Sequence, residues 1–268
     1  MIINQITPQA ILDNKSDYDT YLKKQLSPLV GKDSWMQDWR HIAQRFGLLK
    51  FQEMKEEELQ SYEWDEKWVH DLIEEAILKV KEHLELGPLN IMVVPAIAFP
   101  WFRNLDRAIW TNGFTNGPNT IILAVPPKPD AVFLQYMIAH EAHHASPQNP
   151  IYQLTLDTFT LQDWYKMEGT AEYFSLSLYE DKRWWKDEFT KEIESNYWNR
   201  AKNQLHFADE NGFALRFGDP ANGIPYLAGY AFAYNLVRDY VKRNSIQEYK
   251  ELFLIKASEY IDCYKVNN

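Results

Sequence analysis

Residues 130–150 read DAVFLQYMIAHEAHHASPQNP and hold three of the seven histidines of the 268-residue chain. Within them, His140, Glu141 and His144 form the pattern H-E-x-x-H. Residues four apart stack on one face of an α-helix, so the two histidines can offer ring nitrogens to one metal ion. Glu141 lies beside that pair, where a general base acting on water has to be. The pattern therefore predicts a metal-binding helix.

The residues around the motif have helical spacing as well. Larger side chains recur at intervals of four, three and four residues, which is the helical period: Phe133, Met137, His140 and His144. Asp130 is a suitable N-cap, and Pro147 prevents the helix from continuing much beyond the motif. The segment is therefore predicted to be a helix that ends just after its last histidine.

A second register of the motif has to be weighed, because His143 also shares a helical face with His140. We favour the pair His140 and His144, since only that choice leaves Glu141 in the role that the motif assigns to its glutamate. The competing interpretation is a helix whose histidines are solvated or hydrogen-bonded core residues and bind no metal.

The composition argues against several classes of protein. A formal net charge of −10 argues against nucleic-acid binding, which needs a basic surface. The single cysteine, Cys263, excludes a cysteine-based zinc cluster, so a metal site would consist of histidines and carboxylates. The first ten residues lack the features of a secretory signal, and no run approaches the ~18 apolar residues of a membrane span. We expect a cytoplasmic protein with neither a nucleic-acid nor a membrane partner.

The rest of the chain predicts a mostly helical α+β fold. Residues 1–88 are expected to form an N-terminal helical region. Two short apolar runs, Leu89–Ala96 and Thr120–Val125, predict strands of a small sheet packed on the motif helix. Between them, residues 111–119 read TNGFTNGPN, and the two Asn-Gly pairs predict a turn of a mobile hairpin. Residues 89–268 then form a domain with a helical C-terminal half, either separate from the N-terminal region or continuous with it.

A third metal ligand is expected from a second helix. Residues 151–182 are predicted to be one helical region that contains the sequence WYKMEGTAEYF, in which Glu168 and Glu172 share a face. Catalytic zinc is commonly held by two histidines and one glutamate, with water in the fourth position. One of these glutamates can supply that ligand, and the other can accept the second N–H of a ligating imidazole. Apolar neighbours on the same helix favour this interpretation over a solvated face.

The order of these segments is similar to that in known peptidases. A strand, an H-E-x-x-H helix and E-G-x-A-E-Y-F on the next helix resemble the gluzincin group of zinc metallopeptidases. More closely, the chain resembles the YjaZ-type family of predicted zinc-dependent proteases, in which an Ile-Pro and Gly-Tyr segment follows. Here that segment is Ile224-Pro225 and Gly229-Tyr230. The resemblance covers roughly Leu89 to Arg243 and implies a zincin-like sheet packed on the motif helix.

The resemblance also implies a role for each matching residue. His140 and His144 correspond to zinc ligands, and Glu141 corresponds to the catalytic glutamate. Glu168 corresponds to the third ligand because the family pattern places that ligand before the glycine, which leaves Glu172 as the outer group. One departure is Met167, where aminopeptidase relatives usually carry an asparagine, so an aminopeptidase-like specificity is not implied.

Three functions are therefore compatible with the sequence. The favoured one is a zinc metallopeptidase that hydrolyses peptide or protein substrates, with Tyr230, or else Tyr226, as a donor to the oxyanion. The second is a metal-binding protein without catalysis. A structural zinc normally has four protein ligands and only three are apparent, which favours catalysis. The third is a helical interaction module that binds no metal.

Overall fold

The computed structural model describes residues 1–99, 102, 105–150, 158–179, 189–207 and 212–267. This part of the chain is mostly helical and contains a mixed four-stranded sheet, so the predicted α+β class is confirmed. Two compact units can be distinguished, residues 1–147 and residues 148–268, and we call them the N-terminal unit and the C-terminal unit.

The N-terminal unit contains the sheet and six α-helices among its described residues. The strands are β1 (Ile2–Gln5), β2 (Asn90–Pro95), β3 (Asn112–Gly117) and β4 (Thr120–Val125). The helices are α1 (Pro8–Asp13), α2 (Tyr18–Leu26), α3 (Trp39–Arg45), α4 (Glu56–Gln60), α5 (Glu66–Lys81) and α6 (Ala131–His144). Short 3₁₀ turns lie at Lys15–Asp17, Ser27–Leu29, Leu48–Gln52 and Arg107–Ile109.

The strands of the sheet follow the order β1-β2-β4-β3. Strands β1, β2 and β4 are parallel, and β3 lies antiparallel to β4 at one edge. Strand β1 was not predicted: it comes from the region expected to be helical, and Ile2 pairs with Asn90. Its four residues, IINQ, are too short and too polar to show a strand pattern without their partner.

The two faces of the sheet bury different side chains. Met92, Val94, Ile122 and Ala124 belong to a core that the N-terminal helices complete, with residues such as Phe46 and Phe51 fully buried. Side chains in the alternate positions, including Ile91 and Val93, are equally buried on the other face. Helix α6 packs against β3 and β4, and α5 packs against α6. Helix α6 is thus held on the sheet.

The turn predicted at residues 111–119 is a second place in this unit where the prediction is wrong. Residues 112–117 form strand β3, and only Pro118 and Asn119 remain for the turn into β4. The first Asn-Gly pair lies in the regular ladder, with Gly113 opposite Leu123, and the second lies at a register irregularity between Thr115 and Gly117. The ladder with the apolar strand β4 overrides the local turn preference, which short-range patterns cannot reveal.

The buried Asn116 shows why its Asn-Gly pair does not form a turn. The Asn116 amide Nδ2 donates hydrogen bonds to the carbonyls of Leu29 (3.1 Å) and Met36 (3.3 Å), and its Oδ1 accepts one from the Met36 amide (2.7 Å). The side chain therefore satisfies backbone groups of the segment between α2 and α3 and fixes β3 to that segment.

The described part of the C-terminal unit is helical. Its helices are α7 (Leu161–Leu178), α8 (Lys191–Ala201), α9 (Gly212–Phe217), α10 (Ala228–Asn244) and α11 (Ala257–Asn267), with 3₁₀ turns at Pro220–Asn222 and Tyr249–Phe253. Of the helical region predicted for residues 151–182, residues 158–179 are described, and α7 forms most of this part; the prediction is wrong at residues 158–160, which precede the helix because Thr160 caps it. Helices α7 and α10 form the most extensive packing in the unit, and α11 packs on both.

Candidate functional site

Helix α6 begins and ends as the sequence predicts. The Asp130 side chain accepts a hydrogen bond from the Phe133 amide at 2.8 Å and so caps the first turn. The helix ends at His144, three residues before Pro147. The negative end of the helix dipole therefore lies at the histidines, where it favours a bound cation.

The two histidines of the predicted pair face each other. Their Nε2 atoms are 3.1 Å apart, their rings are nearly perpendicular (83°), and both side chains are buried. Two nitrogens bound to one tetrahedral zinc at about 2.0–2.1 Å are about 3.3 Å from each other. The spacing therefore fits a shared zinc ion. His143 is completely buried, and its ring centre lies 6.0 Å from that of His144.

Glu141 contacts strand β3. The Thr115 hydroxyl lies 2.7 Å from Oε2 of the Glu141 carboxylate and 2.8 Å from the Glu141 backbone carbonyl, so its one proton is shared between two acceptors on the same residue. Both residues are buried. The position of the carboxylate is thus fixed by the edge strand of the sheet.

Gly113 lies two residues before Thr115 and leaves space for the same carboxylate. A Cβ atom at this position would come within 2.5 Å of Cγ and 2.6 Å of Oε1 of Glu141. Any larger residue here would displace the Glu141 side chain. Residues two apart on a strand point to one face, so Gly113 and Thr115 together form the surface on which Glu141 lies.

Sequence reasoning missed both of these residues because residues 111–119 were predicted to be a turn. A signal for Gly113 and Thr115 was nevertheless present in the sequence. These two small residues occupy alternate positions directly before the apolar run that forms β4. Small residues at alternate positions mark the face of a strand that another group approaches closely.

In the C-terminal unit, Glu168 and Glu172 lie on the long helix α7. A capping box, in which Thr160 and Asp163 exchange hydrogen bonds, begins this helix. Both glutamate side chains are buried, with 7% and 2% of their surface exposed. The alternative that they lie on a solvated helix face is therefore wrong. Buried carboxylates require cationic or hydrogen-bonding partners.

Gly169 explains why the E-G-x-A-E segment has a glycine after its first glutamate. A Cβ atom here would overlap the carbonyl oxygen of Ala233 on α10 and would lie 2.8 Å from both the Ala233 carbonyl carbon and Val237 Cγ2. The backbones of α7 and α10 thus approach closely beside Glu168.

Arg216, on α9, is a further charged residue near Glu168 that sequence reasoning did not find. Burial lowers the pKa of the Arg216 guanidinium, while the nearby charge of Glu168 acts in the opposite direction. The guanidinium also lies 5.9 Å from the ring centres of Phe159 and Trp164. This cation partly compensates the burial of the Glu168 carboxylate.

The two tyrosines proposed as oxyanion donors differ in their surroundings. Tyr230 lies in the first turn of α10, and its ring meets Trp164 edge-on at 5.1 Å and Phe217 at 6.3 Å. Tyr226 precedes the helix and is 36% exposed. Pro225 and Tyr226 both lie before Ala228, the first residue of α10.

Two histidines and a glutamate in an H-E-x-x-H helix are the arrangement found in zinc-dependent metalloproteases. Residues 69–262 match the model of the family described as "Predicted Zn-dependent protease (DUF2268)". The match covers well over half of the chain, and the chain belongs to this family, which confirms the resemblance drawn from the sequence. Neither the curated proteins nor the solved structures include a significant match.

Among the described residues, none of the helices has the length and apolar character needed to cross a membrane.

Proposed function

We propose that this protein is a zinc-dependent peptidase in which His140, His144 and Glu168 bind one zinc ion. The observation that carries the proposal is the 3.1 Å separation of the two Nε2 atoms, with Glu141 on the same helix and in contact with β3. The description of the family as predicted zinc-dependent proteases supports the same metal. Glu168 is assigned as the third ligand because it is a buried carboxylate that directly precedes the close-packed Gly169.

A zinc ion held by these residues would act as a Lewis acid, polarise the scissile carbonyl and lower the pKa of the attacking water. Glu141 then serves as the general base: it accepts a proton from the attacking water and delivers it to the leaving amine. The Thr115 hydroxyl at Oε2 holds the carboxylate, so we assign the proton to the other oxygen, Oε1. Thr115 and Gly113 thereby position the Glu141 carboxylate.

Two residues of the C-terminal unit complete the proposed mechanism. Glu172, buried one helical turn after Glu168, accepts the second ring N–H of a ligating histidine and so fixes its tautomer. Tyr230 donates a hydrogen bond to the oxyanion of the tetrahedral intermediate. Tyr226 is the second candidate for that donor.

The proposed substrates are peptides or unfolded protein segments. Helix α6 packs on a sheet whose edge strand, β3, also contacts Glu141, and we interpret this as a zincin-like arrangement. An edge strand can pair with an extended peptide through main-chain hydrogen bonds. The net charge of −10 makes a nucleic-acid substrate unfavourable.

The experiment combines zinc analysis with a cleavage assay. Purified protein is expected to contain about one zinc per chain, and His140→Ala and Glu168→Gln are expected to lower that content at least tenfold at limiting free zinc. Mass spectrometry of a proteome-derived peptide pool is expected to detect new termini that a chelator abolishes and added zinc restores. His206→Ala and Glu192→Gln, two exposed positions, are the matched controls.

Two outcomes would contradict the proposal in different ways. Protein that binds zinc through His140 and Glu168 but leaves the whole peptide pool uncleaved would be a metal-binding protein without peptidase activity. Protein that binds no zinc at all, or loses none in the His140→Ala variant, would exclude the proposed metal site itself.

A further inference from the structure

The C-terminal unit contains a cavity of about 250 Å³ that the proposed peptidase mechanism does not use. It lies between the start of α7, the 3₁₀ turn at Tyr249–Phe253 and the start of α11. Among the residues that line it are Phe159, Asp163, Lys166, Met167, Phe253 and Ala257.

The cavity lies on the side of α7 opposite to Glu168. The α7 residues that line it, Asp163, Lys166, Met167 and Thr170, are spaced by three, one and three positions and so share one face of the helix. At 100° per residue, Glu168 and Glu172 project from the opposite face. A molecule in this cavity would therefore not occupy the proposed metal site.

Most of the cavity wall is apolar. Phe159, Met167, Phe253 and Ala257 provide two aromatic rings, a thioether and a methyl group, and Phe159, Phe253 and Ala257 are buried. Such a wall favours an apolar molecule, because its burial removes apolar surface of both partners from water.

Lys166 adds a cationic group to this apolar wall. Its ammonium donates one hydrogen bond, to the Phe253 carbonyl at 2.9 Å, and its two other N–H donors have no hydrogen-bond acceptor among the described residues. A second lysine, Lys256, also lines the cavity, so two lysines face one aspartate. The balance of charge favours an anion.

We propose that this cavity is a second ligand site, which binds a small carboxylate with an apolar tail. The carboxylate accepts hydrogen bonds from Lys166, and the tail contacts Phe159, Met167 and Phe253. At about 30 Å³ per water molecule, the cavity has room for about eight waters, which matches a ligand of about eight non-hydrogen atoms. A phosphate or sulfate ion fits less well, since it has no apolar part to contact the wall.

Two kinds of ligand combine a carboxylate with an apolar tail, namely simple carboxylic acids and free apolar amino acids. They differ in the ammonium group of the amino acid, which Asp163 could bind. Its Oδ2 accepts hydrogen bonds from the Thr160 amide and hydroxyl, and its other oxygen can accept one from an ammonium group. A free amino acid would use Lys166 and Asp163 together, whereas a simple acid would use Lys166 alone.

Isothermal titration calorimetry on the full chain, with zinc neither added nor required, tests the proposal. The probe is 4-methylpentanoate, and the matched compounds are 4-methylpentanamide, which lacks the charge, and acetate, which lacks the tail. The acid is expected to bind with one site per chain, and both matched compounds are expected to bind at least tenfold more weakly. Binding of the amide as tight as that of the acid, or absence of saturable binding by the acid, would overturn the proposal.

Variants locate the site. Lys166→Met keeps an unbranched side chain, shorter by the ammonium nitrogen, without its charge and is expected to weaken binding of 4-methylpentanoate at least tenfold. Lys242→Met, at an exposed position of α10, is the control and is expected to leave binding unchanged. Unchanged binding in a folded Lys166→Met variant would place the ligand elsewhere and contradict the proposal. If Lys166→Met does not fold, the three-compound comparison still decides whether a carboxylate site exists.

Titration with leucine then distinguishes the two kinds of ligand, because leucine is 4-methylpentanoate with an added ammonium group. Tighter binding of leucine than of 4-methylpentanoate supports a site for free amino acids, and weaker binding supports a site for simple acids. All these experiments measure the binding of a small ligand and none of them measures peptide hydrolysis. A failure of this proposal is therefore distinguishable from a failure of the peptidase proposal.

Discussion

Two glycines, one in each unit, allow close approaches of different kinds. Gly113 on β3 leaves space for a side chain, the carboxylate of Glu141, whereas Gly169 on α7 leaves space for the backbone of α10 at Ala233. A side chain can rotate away from an added methyl group, but a helix backbone cannot. The first glycine is therefore expected to control the proposed chemistry and the second to control stability.

The largest effect is expected from Glu141→Gln, which removes the proposed base and retains its shape. Hydrolysis of a reporter peptide is expected to fall about 10³-fold, because an amide cannot accept the proton. Zinc content and melting temperature are expected to stay near the wild-type values. Activity within tenfold of wild type would exclude Glu141 as the general base, and Glu75→Gln on α5 is the exposed control.

The next effect is expected from Gly113→Ala, which places a methyl group where the Glu141 side chain lies. Displacement of the carboxylate by about 1 Å is expected to lower kcat about 10²-fold. The free energy of unfolding in urea is expected to change by less than about 1 kcal/mol, because Glu141 can move. Gly31→Ala is the matched control, since a Cβ there meets only Ser34 Oγ at 3.7 Å. A variant that is unstable but fully active per folded molecule would reverse the role assigned to Gly113.

Gly169→Ala should show the opposite behaviour. The added methyl group would overlap the Ala233 carbonyl, so helices α7 and α10 have to separate, at a cost of about 2 kcal/mol. This corresponds to about a 30-fold loss in the ratio of folded to unfolded protein. Urea unfolding followed by circular dichroism measures it. A free energy of unfolding equal to that of Gly31→Ala would mean that the close approach does not contribute to stability.

The smallest effect is expected from Thr115→Val, which removes a hydroxyl and preserves the side-chain volume. Loss of the hydrogen bond to Glu141 is expected to reduce kcat about tenfold, since hydrogen bonds to charged groups contribute about 1.5–3 kcal/mol. Thr115→Ser retains the hydroxyl and is expected to restore most of the rate. Equal rates for the valine and serine variants would show that the hydroxyl does not position Glu141.

The sequence predicted the elements that have strong local signals. Strand β4 has the predicted bounds, and α6 follows its predicted cap at Asp130. Helix α6 has periodic apolar residues and a capping residue within one short segment, and β4 is a continuous apolar run, so local and tertiary preferences agree in both.

The elements that the sequence did not predict depend on distant partners. Strand β3 has the composition of a turn and becomes a strand only because β4 lies beside it and Asn116 bonds to Leu29 and Met36. For the same reason Gly113 and Thr115 were not recognised as the surroundings of Glu141. The assignment of Glu168 as third ligand and of Tyr230 as oxyanion donor stays a prediction.

The side chain of Asn116 has a consequence for how far the protein can be shortened. The family match begins at residue 69, yet the strand that positions Glu141 is hydrogen-bonded to Leu29 and Met36, and β1 pairs with β2 from the same early region. A chain trimmed to residues 69–262 would leave the buried amide of Asn116 without its partners and would expose the edge of β2 that β1 covers. We therefore expect a chain cut at the boundary of sequence similarity to lose stability.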